Sequence, residues 1–167
     1  TLAFDEVRIT LTDGRSAAER AAADGGGAPL LLLDLARDYA SCRALGATAS
    51  PNAADALAPL AAALRPAGID LLPLADVPGL VVMRLVCCIV NEAAELLSWS
   101  PAHAADIDIA MVLGAAFPIG PLAWGDALGS GTVAGVLAQL QAHYGDARFR
   151  RAPRLLRALH DRTARLA

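Results

Sequence analysis

At 167 residues, 56% of them hydrophobic, the chain is long enough for one ordinary domain or two small ones and can form a core. A net charge of −3 provides no basic field for nucleic acid. The longest apolar run, residues 80–90, is interrupted by Arg84 and is too short to cross a membrane. Cys42 and the adjacent Cys87 and Cys88 suggest neither a disulfide framework nor a metal site. We therefore expect a reduced, cytoplasmic protein that needs no metal and binds neither nucleic acid nor membrane.

The first half of the chain alternates strand and helix signals. β-Branched or apolar runs predict strands over 7–12, 28–35 and 69–74. Helices are predicted over 16–23 and from Asn52, as the N-cap, through Leu64. This α/β unit ends at the turn Asp76-Val77-Pro78-Gly79.

The second half reads as helical throughout. Residues 81–97 are apolar nearly all round and predict a central buried helix. Its narrow polar stripe consists of Arg84, Cys88, Asn91, Glu92 and Glu95. The next helix signals are an N-cap at Ser100-Pro101, a second cap at Asp106 and a C-terminal Gly114. Three further helices are predicted, from Pro121 to near Gly129, over 132–144 and over 153–166.

The order of short motifs in the helical half is distinctive. The motifs are Pro78-Gly79-Leu80, Met83-Arg84, Asn91-Glu92-Ala93, Asp106-Ile107-Asp108 and Phe117-Pro118-Ile119-Gly120-Pro121. This order resembles the C-terminal helical domain of NAD-dependent 3-hydroxyacyl-CoA dehydrogenases. Residues 52–84 also resemble that family's domain junction, and the first fifty residues resemble the cofactor-less, reduced Rossmann unit of some bacterial members, of the 3-hydroxybutyryl-CoA dehydrogenase type.

The resemblance implies a fold class of α/β plus all-α. A reduced Rossmann-like domain without the NAD fingerprint would span 1–78, and the helical dehydrogenase domain would span 79–167. The parent enzyme would oxidise a 3-hydroxyacyl-CoA to the 3-oxoacyl-CoA with NAD, as in fatty acid β-oxidation. Its catalytic His and Glu would belong to an upstream NAD-binding domain of the same protein, and the family associates through the helical domain.

The NAD fingerprint itself is missing from this sequence. No Gly-x-Gly-x-x-Gly follows any strand, so the pyrophosphate of NAD would have no close backbone approach. His103, His143 and His160 fall at predicted exposed helix positions and read as solvated side chains rather than as a general base. We therefore expect this chain alone to bind no NAD and to be inactive, with NAD serving only the parent enzyme.

Four residues are candidates for contact with the acyl-CoA substrate: Met83, Arg84, Arg150 and Arg154. Met83 stands where the family has a catalytic-site Asn, and because a thioether donates no hydrogen bond we assign this chain no catalytic residue. The favoured reading of Met83 is an apolar filler, and the alternative is a degenerate site still facing the cleft. Arg84 would pair with Glu92 or Asp126, and Asp108 and Asp126 read as caps or pair members.

The arginines near the end of the sequence allow two readings. Arg150, Arg154 and Arg157 share one face of the predicted last helix, and this face would either contact the phosphates of CoA or be solvated. Apolar surface on helices 132–144 and 153–166 predicts a homodimer. The sequence thus predicts a C-terminal part of a 3-hydroxyacyl-CoA dehydrogenase that supplies dimer contacts and a cleft wall, the alternative being a stand-alone, non-catalytic assembly or acyl-CoA-binding module.

Overall fold

The computed structural model describes residues 2–4, 6–160 and 165–167. Within them the chain forms two compact units, residues 1–83 and 84–167, which are described separately. The first is an α/β unit and the second is helical, so the predicted fold class is confirmed.

The α/β unit contains one five-stranded sheet in the order β1-β2-β3-β4-β5 among the described residues. The strands are β1 (Leu2–Phe4), β2 (Val7–Leu11), β3 (Leu30–Leu33), β4 (Ala44–Ala49) and β5 (Asp70–Pro73). β2 and β3 are parallel and are connected by α1 (Ala17–Gly25), and β4 and β5 are parallel and are connected through α2 (Leu57–Leu64). β3 and β4 are antiparallel, as are β1 and β2. Two β-α-β units therefore meet at the β3–β4 pair.

The leucine run of β3 is buried on both faces of the sheet. Leu31 packs in the cluster that contains Leu60 of α2, whereas Leu30 and Leu32 pack with Ala17 of α1 on the other face. Alternate residues of a strand point to opposite faces, and helices cover both, so a continuous apolar sequence is required here. The strands predicted over 7–12, 28–35 and 69–74 are confirmed with slightly shorter bounds.

Two local predictions in this unit were wrong or incomplete. Asn52 is not an N-cap, because a 3-10 helix begins at Pro51 with Ser50 before it, and α2 follows only at Leu57. Proline at a first helical position favours that earlier start. The Asn52 side chain instead donates to the carbonyl of Gly27. β1 and β4 were not predicted, and the sequence of β4, ALGATA, has little strand propensity of its own.

The helical unit holds most of α3 (Val82–Trp99), followed by α4 (Ala104–Ala115), α5 (Pro121–Leu128), α6 (Ser130–Tyr144) and α7 (Pro153–His160). α6 is central to the core: Val133, Leu137 and Leu140 are fully buried. The predicted starts and ends at Pro121 and Gly145 are confirmed, with Gly145 at φ 63° as the C-cap of α6. No helix among the described residues has the length and apolarity that a bilayer span requires.

The predicted boundaries of α4 were wrong. The helix does not start at Ser100-Pro101, and Asp106 lies in its first turn, where its carboxylate accepts the backbone N–H of His103 at 3.2 Å. This capping-box contact fixes a single helix start at residue 104. Gly114 lies inside the helix, and Ala116, at φ 55°, takes the left-handed C-cap position.

Helices α3 and α7 also differ from expectation. α3 is not buried all round, since Leu85 and Leu96 are 58% and 47% exposed. α7 is described from Pro153 to His160, and residues 165–167 of the predicted helix are not helical; residues 161–164 lie outside the described part of the chain.

Candidate functional site

A buried carboxylate fixes the start of α3. Asp34 directly follows β3, and its side chain is only 1% exposed. Its Oδ2 accepts the backbone N–H groups of Val81 and Val82 at 3.0 and 2.8 Å. Its Oδ1 accepts those of Met83 and Leu35 at 2.9 and 2.8 Å. The carboxylate therefore accepts the otherwise unpaired N–H donors of the first helical turn, and its negative charge interacts favourably with the positive end of the helix dipole.

The turn that leads to this site has unusual backbone geometry. Gly79 has φ 74° and Leu80 has φ 50°, which for leucine is a strained left-handed conformation. The Leu80 side chain is fully buried with Leu30 and Leu32, and this packing offsets the strain. Met83, one turn later, is also fully buried. Its burial favours the apolar-filler reading.

The N-terminus of α1 is closed in the same way. Asp76, in the turn before Pro78, accepts the N–H of Ala17 at 2.6 Å and that of Ala18 at 3.0 Å. Ser16 accepts the N–H of Glu19 at 3.1 Å, and the Glu19 carboxylate accepts the N–H of Ser16 at 2.9 Å. Carboxylates and a hydroxyl of the chain itself therefore hold all four of these backbone donors.

This closure bears directly on cofactor binding, because the turn from the strand into the helix of a Rossmann unit is where a dinucleotide pyrophosphate contacts free N–H groups. A pyrophosphate at α1 would have to displace the carboxylate of Asp76. The turn also carries Asp13, whose carboxylate pairs with Arg15 at 2.6 Å. Its only glycine is Gly14. The residues present do not fit the pyrophosphate of NAD.

In the helical unit a third carboxylate, Asp108 of α4, caps α5. It accepts the N–H groups of Leu122 and Ala123 at 2.8 and 3.0 Å. A Cβ atom built on Gly120 would lie 2.2 Å from the Asp108 Cγ, so only glycine allows this approach. Gly120 therefore allows the Asp108 carboxylate to approach the start of α5, and the predicted capping role of Asp108 is confirmed.

Asn91 of α3 connects this helix to the segment before α7. It is 3% exposed, donates to the Arg150 carbonyl at 2.9 Å and accepts the Ala152 N–H at 2.8 Å. Both hydrogen-bonding groups of the buried amide are thus satisfied. The held segment enters α7 at Pro153, so Arg150 precedes the helix and does not share its face, contrary to prediction.

The arginine candidates lie in different surroundings. Arg150 pairs with Glu95 at 3.2 Å. The Arg84 guanidinium lies over the ring of Tyr144, 5.6 Å from its centroid, and donates to its hydroxyl at 3.5 Å. The pairing of Arg84 with Glu92 or Asp126 stays a prediction. Arg154 lines a small cavity together with Arg157 and Arg165.

Asp126, read from the sequence as a cap or a pair member, binds backbone N–H groups. Its carboxylate accepts the N–H groups of Leu166 and Ala167 at 2.7 and 3.1 Å. This contact fixes the segment 165–167 against α5, so Asp126 binds backbone as a cap does.

An apolar groove of about 310 Å³ lies among α3, α4 and α5. Its lining residues are Cys88, Ile89, Glu92, Ala93, Leu96, Ile107, Met111 and Pro121. Burial raises the pKa of the Cys88 thiol, and burial raises that of the neighbouring Cys87 to about 12. Both shifts favour the protonated thiol at neutral pH, so they give no support to a thiolate nucleophile at Cys88 in this groove.

The three histidines have exposed side chains, as predicted. His103 is the N-cap of α4, and the ring of His143 contacts the ring of Tyr144. His160 is the last residue of α7 and its Nδ1 lies 2.9 Å from the Leu156 carbonyl. These positions give each histidine a local structural contact at the surface.

Two family models together match nearly the whole chain. The model of the 3-hydroxyacyl-CoA dehydrogenase C-terminal domain matches residues 79–164. The chain belongs to the 3-hydroxyacyl-CoA dehydrogenase family. The model of the 3-hydroxybutyryl-CoA dehydrogenase reduced Rossmann-fold domain matches residues 9–78. The resemblance inferred from the short motifs is confirmed.

Curated relatives match about half of this chain and a smaller share of their own length. A 3-hydroxyadipyl-CoA dehydrogenase of Escherichia coli K12 is 45% identical over 87 residues, which are 52% of this chain and 18% of the relative. A 3-hydroxybutyryl-CoA dehydrogenase of Clostridioides difficile is 38% identical over 78 residues, 47% of this chain and 28% of the relative. The matched stretches are therefore small parts of longer proteins.

Solved structures of dehydrogenases match both halves. The 3-hydroxybutyryl-CoA dehydrogenase of E. coli K12 has a TM-score of 0.82 and 34% identity, covering 96% of this chain and 33% of that one. The (S)-3-hydroxybutyryl-CoA dehydrogenase of Ralstonia eutropha has a TM-score of 0.76 at 24% identity, covering 95% and 58%. The second likeness concerns the fold alone.

The carboxylates of the α/β unit that cap helices were not predicted from the sequence. Asp34 and Asp76 contact residues 47 and 59 positions away, so no local pattern marks them as caps. The available signal was a charged residue at the end of an apolar strand run, since a buried carboxylate needs partners. Arg165, which joins Arg154 at the small cavity, was also missed.

Proposed function

We propose that this chain is the C-terminal part of an NAD-dependent 3-hydroxyacyl-CoA dehydrogenase of the 3-hydroxybutyryl-CoA type. In this proposal it supplies subunit contacts and one wall of the acyl-CoA cleft, and the oxidation of the hydroxyl is carried out by an upstream domain of the same protein. The observation that carries the proposal is the closure of the α1 N-terminus, where Asp76, Ser16 and Glu19 accept the backbone N–H groups of residues 16–19 that a pyrophosphate would need.

The position of Met83 supports the non-catalytic role. In the resemblance, this residue stands where an Asn would form a hydrogen bond in the active site. A buried thioether accepts hydrogen bonds only weakly and donates none, so it neither orients a base nor stabilises a substrate oxygen. We assign the chain no proton-transfer step. We also propose that the parent enzyme acts in fatty acid β-oxidation and is cytoplasmic.

The subunit contact is proposed to lie on α3 and α4. α6 and α7 were first expected to expose apolar surface, but their large apolar residues are mostly buried. The large apolar side chains exposed on α3 and α4 are those of Val82, Leu85, Leu96, Trp99, Ile109, Val112 and Leu113. Large apolar side chains exposed along two helices are typical of a surface that another protein covers. A homodimer burying more than about 1,000 Å² would cover it.

The alternative function is a stand-alone, non-catalytic assembly or acyl-CoA-binding module. The groove of about 310 Å³ favours it, because an apolar recess of this kind can bind a ligand without any chemistry. The two functions separate in the full-length protein: removal of this chain lowers the turnover of a dehydrogenase to which it belongs, whereas a stand-alone module has no turnover to lose.

One set of measurements tests the proposal. We expect the purified chain to give no calorimetric signal with NAD and no turnover of 3-hydroxybutyryl-CoA, and to sediment as a dimer. Leu113→Arg, at a side chain that is 79% exposed, should produce a monomer, because a buried guanidinium without a partner opposes association. Leu72→Arg makes the same change on β5, at 49% exposure, and should leave the dimer intact. Turnover by the chain alone, or a monomeric wild type, would contradict the proposal.

A further inference from the structure

Three arginine side chains line one small cavity of the helical unit. Arg154 and Arg157 come from α7 and Arg165 from the segment that follows, and Ala158 completes the described lining of a cavity of about 180 Å³. Arg154 and Arg157 are three positions apart and so lie on the same face of α7. The cavity has several times the volume of about 30 Å³ that one water molecule occupies.

The third arginine is placed there by backbone contacts and not by its own charge. Asp126 binds the N–H groups of Leu166 and Ala167, and the Leu166 side chain is fully buried. The Arg154 Nη2 donates to the Leu166 carbonyl at 3.5 Å. The segment 165–167 is thus held beside α7, which brings Arg165 to the two helical arginines.

No carboxylate in the described part of the chain neutralises these three charges. The ion pairs described in the helical unit are formed by other arginines, Arg148 with Asp146 at 2.8 Å and Arg150 with Glu95 at 3.2 Å. The Arg154 Nε is buried and has no hydrogen-bond partner among the described residues. A buried donor without a hydrogen-bond partner is energetically unfavourable. Like charges near a protein surface also repel each other. Both terms favour a bound anion.

We propose that Arg154, Arg157 and Arg165 form a binding site for a phosphate dianion, either inorganic phosphate or a phosphomonoester. One guanidinium group can bind two phosphate oxygens through two parallel N–H donors. Three guanidinium groups match the double negative charge and the several acceptor oxygens of a phosphate better than they match a monovalent carboxylate. The phosphate could be free inorganic phosphate or the 3′-phosphate of a CoA thioester. The second source rests on the acyl-CoA role proposed above, and the first does not.

Calorimetric titration of the chain with inorganic phosphate, at constant ionic strength against chloride, tests the site. We expect saturable binding that weakens at least about tenfold in Arg157→Gln and in Arg165→Gln. Both side chains are exposed, so the variants should fold, which circular dichroism checks. Arg65→Gln removes an equally exposed charge from the α/β unit and should leave phosphate affinity unchanged. No saturable phosphate binding, or equal affinities in all the variants, would overturn the site.

A second arm identifies the source of the phosphate. CoA and 3′-dephospho-CoA differ only by the 3′-phosphate, so tighter binding of CoA that Arg165→Gln abolishes would assign the site to the CoA thioester. Equal affinity for the two, with inorganic phosphate still bound, would assign the site to free phosphate and would count against the acyl-CoA role alone. The failure of the site and the failure of the proposed function are therefore distinguishable.

Discussion

Replacing Asp34 by asparagine should destabilise the chain more than any other conservative change of a carboxylate. The carboxylate accepts four backbone N–H groups, those of Leu35, Val81, Val82 and Met83. The asparagine amide keeps one oxygen but presents its NH₂ group to the donors that faced the other oxygen. Two charge-assisted hydrogen bonds are then lost, and so is the favourable interaction of the negative charge with the dipole of α3.

The magnitude follows from these losses. Hydrogen bonds to a charged group contribute about 1.5 to 3 kcal/mol each, and the dipole contributes about 0.3 to 1 kcal/mol. Val81 and Val82 are exposed enough for water to replace part of the loss at their N–H groups. We therefore expect Asp34→Asn to lower the free energy of unfolding by about 3 kcal/mol, a large share of the total of about 5 to 15 kcal/mol for a domain.

Urea denaturation followed by circular dichroism measures this change, and hydrogen exchange at the amides of residues 81–83 localises it. Exchange at these three amides should accelerate while the rest of α3 stays protected. Asp55→Asn makes the same chemical change at an exposed position of the 3-10 helix and should stay within about 0.5 kcal/mol of wild type. An Asp34→Asn variant as stable as this control would refute the argument.

Three other expectations follow from the same geometry. Gly120→Ala should lower the free energy of unfolding by about 3 kcal/mol or more, because the added Cβ displaces the Asp108 carboxylate that caps α5. Gly135→Ala, in open space within α6, should leave the stability unchanged or raise it by up to about 1 kcal/mol. Similar thermal melts for the two variants would contradict this. Met83→Asn should leave the chain inactive and lower its stability by about 1 to 3 kcal/mol, and an unchanged melt with an altered rate in the full-length protein would favour a cleft-facing residue. At pH 8 iodoacetamide should label the half-buried Cys42 long before the buried Cys87, whose pKa is about 12; equal labelling rates would show that α3 opens readily.

Local signals allowed part of the fold to be predicted. The start of α5 at Pro121 and the end of α6 at Gly145 were predictable because proline and glycine have strong backbone preferences at these positions. The start of α4 was misplaced because Ser100-Pro101 and Asp106 both resemble caps. In the structure the Asp106 carboxylate accepts the His103 N–H, which places the start of α4 at residue 104.

The candidate site was less predictable because its key contacts join distant parts of the chain. Asp126 contacts the N–H of Leu166 across forty positions, and this contact brings Arg165 to α7. Arg150, predicted to share the arginine face, lies before that helix because Asn91 holds the segment preceding it.

The sequence by itself determined the family, the division into an α/β and a helical part, and the missing glycine fingerprint, since all three are written in residue types at fixed local spacings. Only the tertiary structure decided that Asp76 closes the N-terminus of α1, that α3 leaves Leu85 exposed, and that three arginines line one cavity. The physical reason is that burial and charge pairing depend on which elements pack together. A carboxylate can satisfy backbone donors dozens of residues away, and no short pattern records that choice.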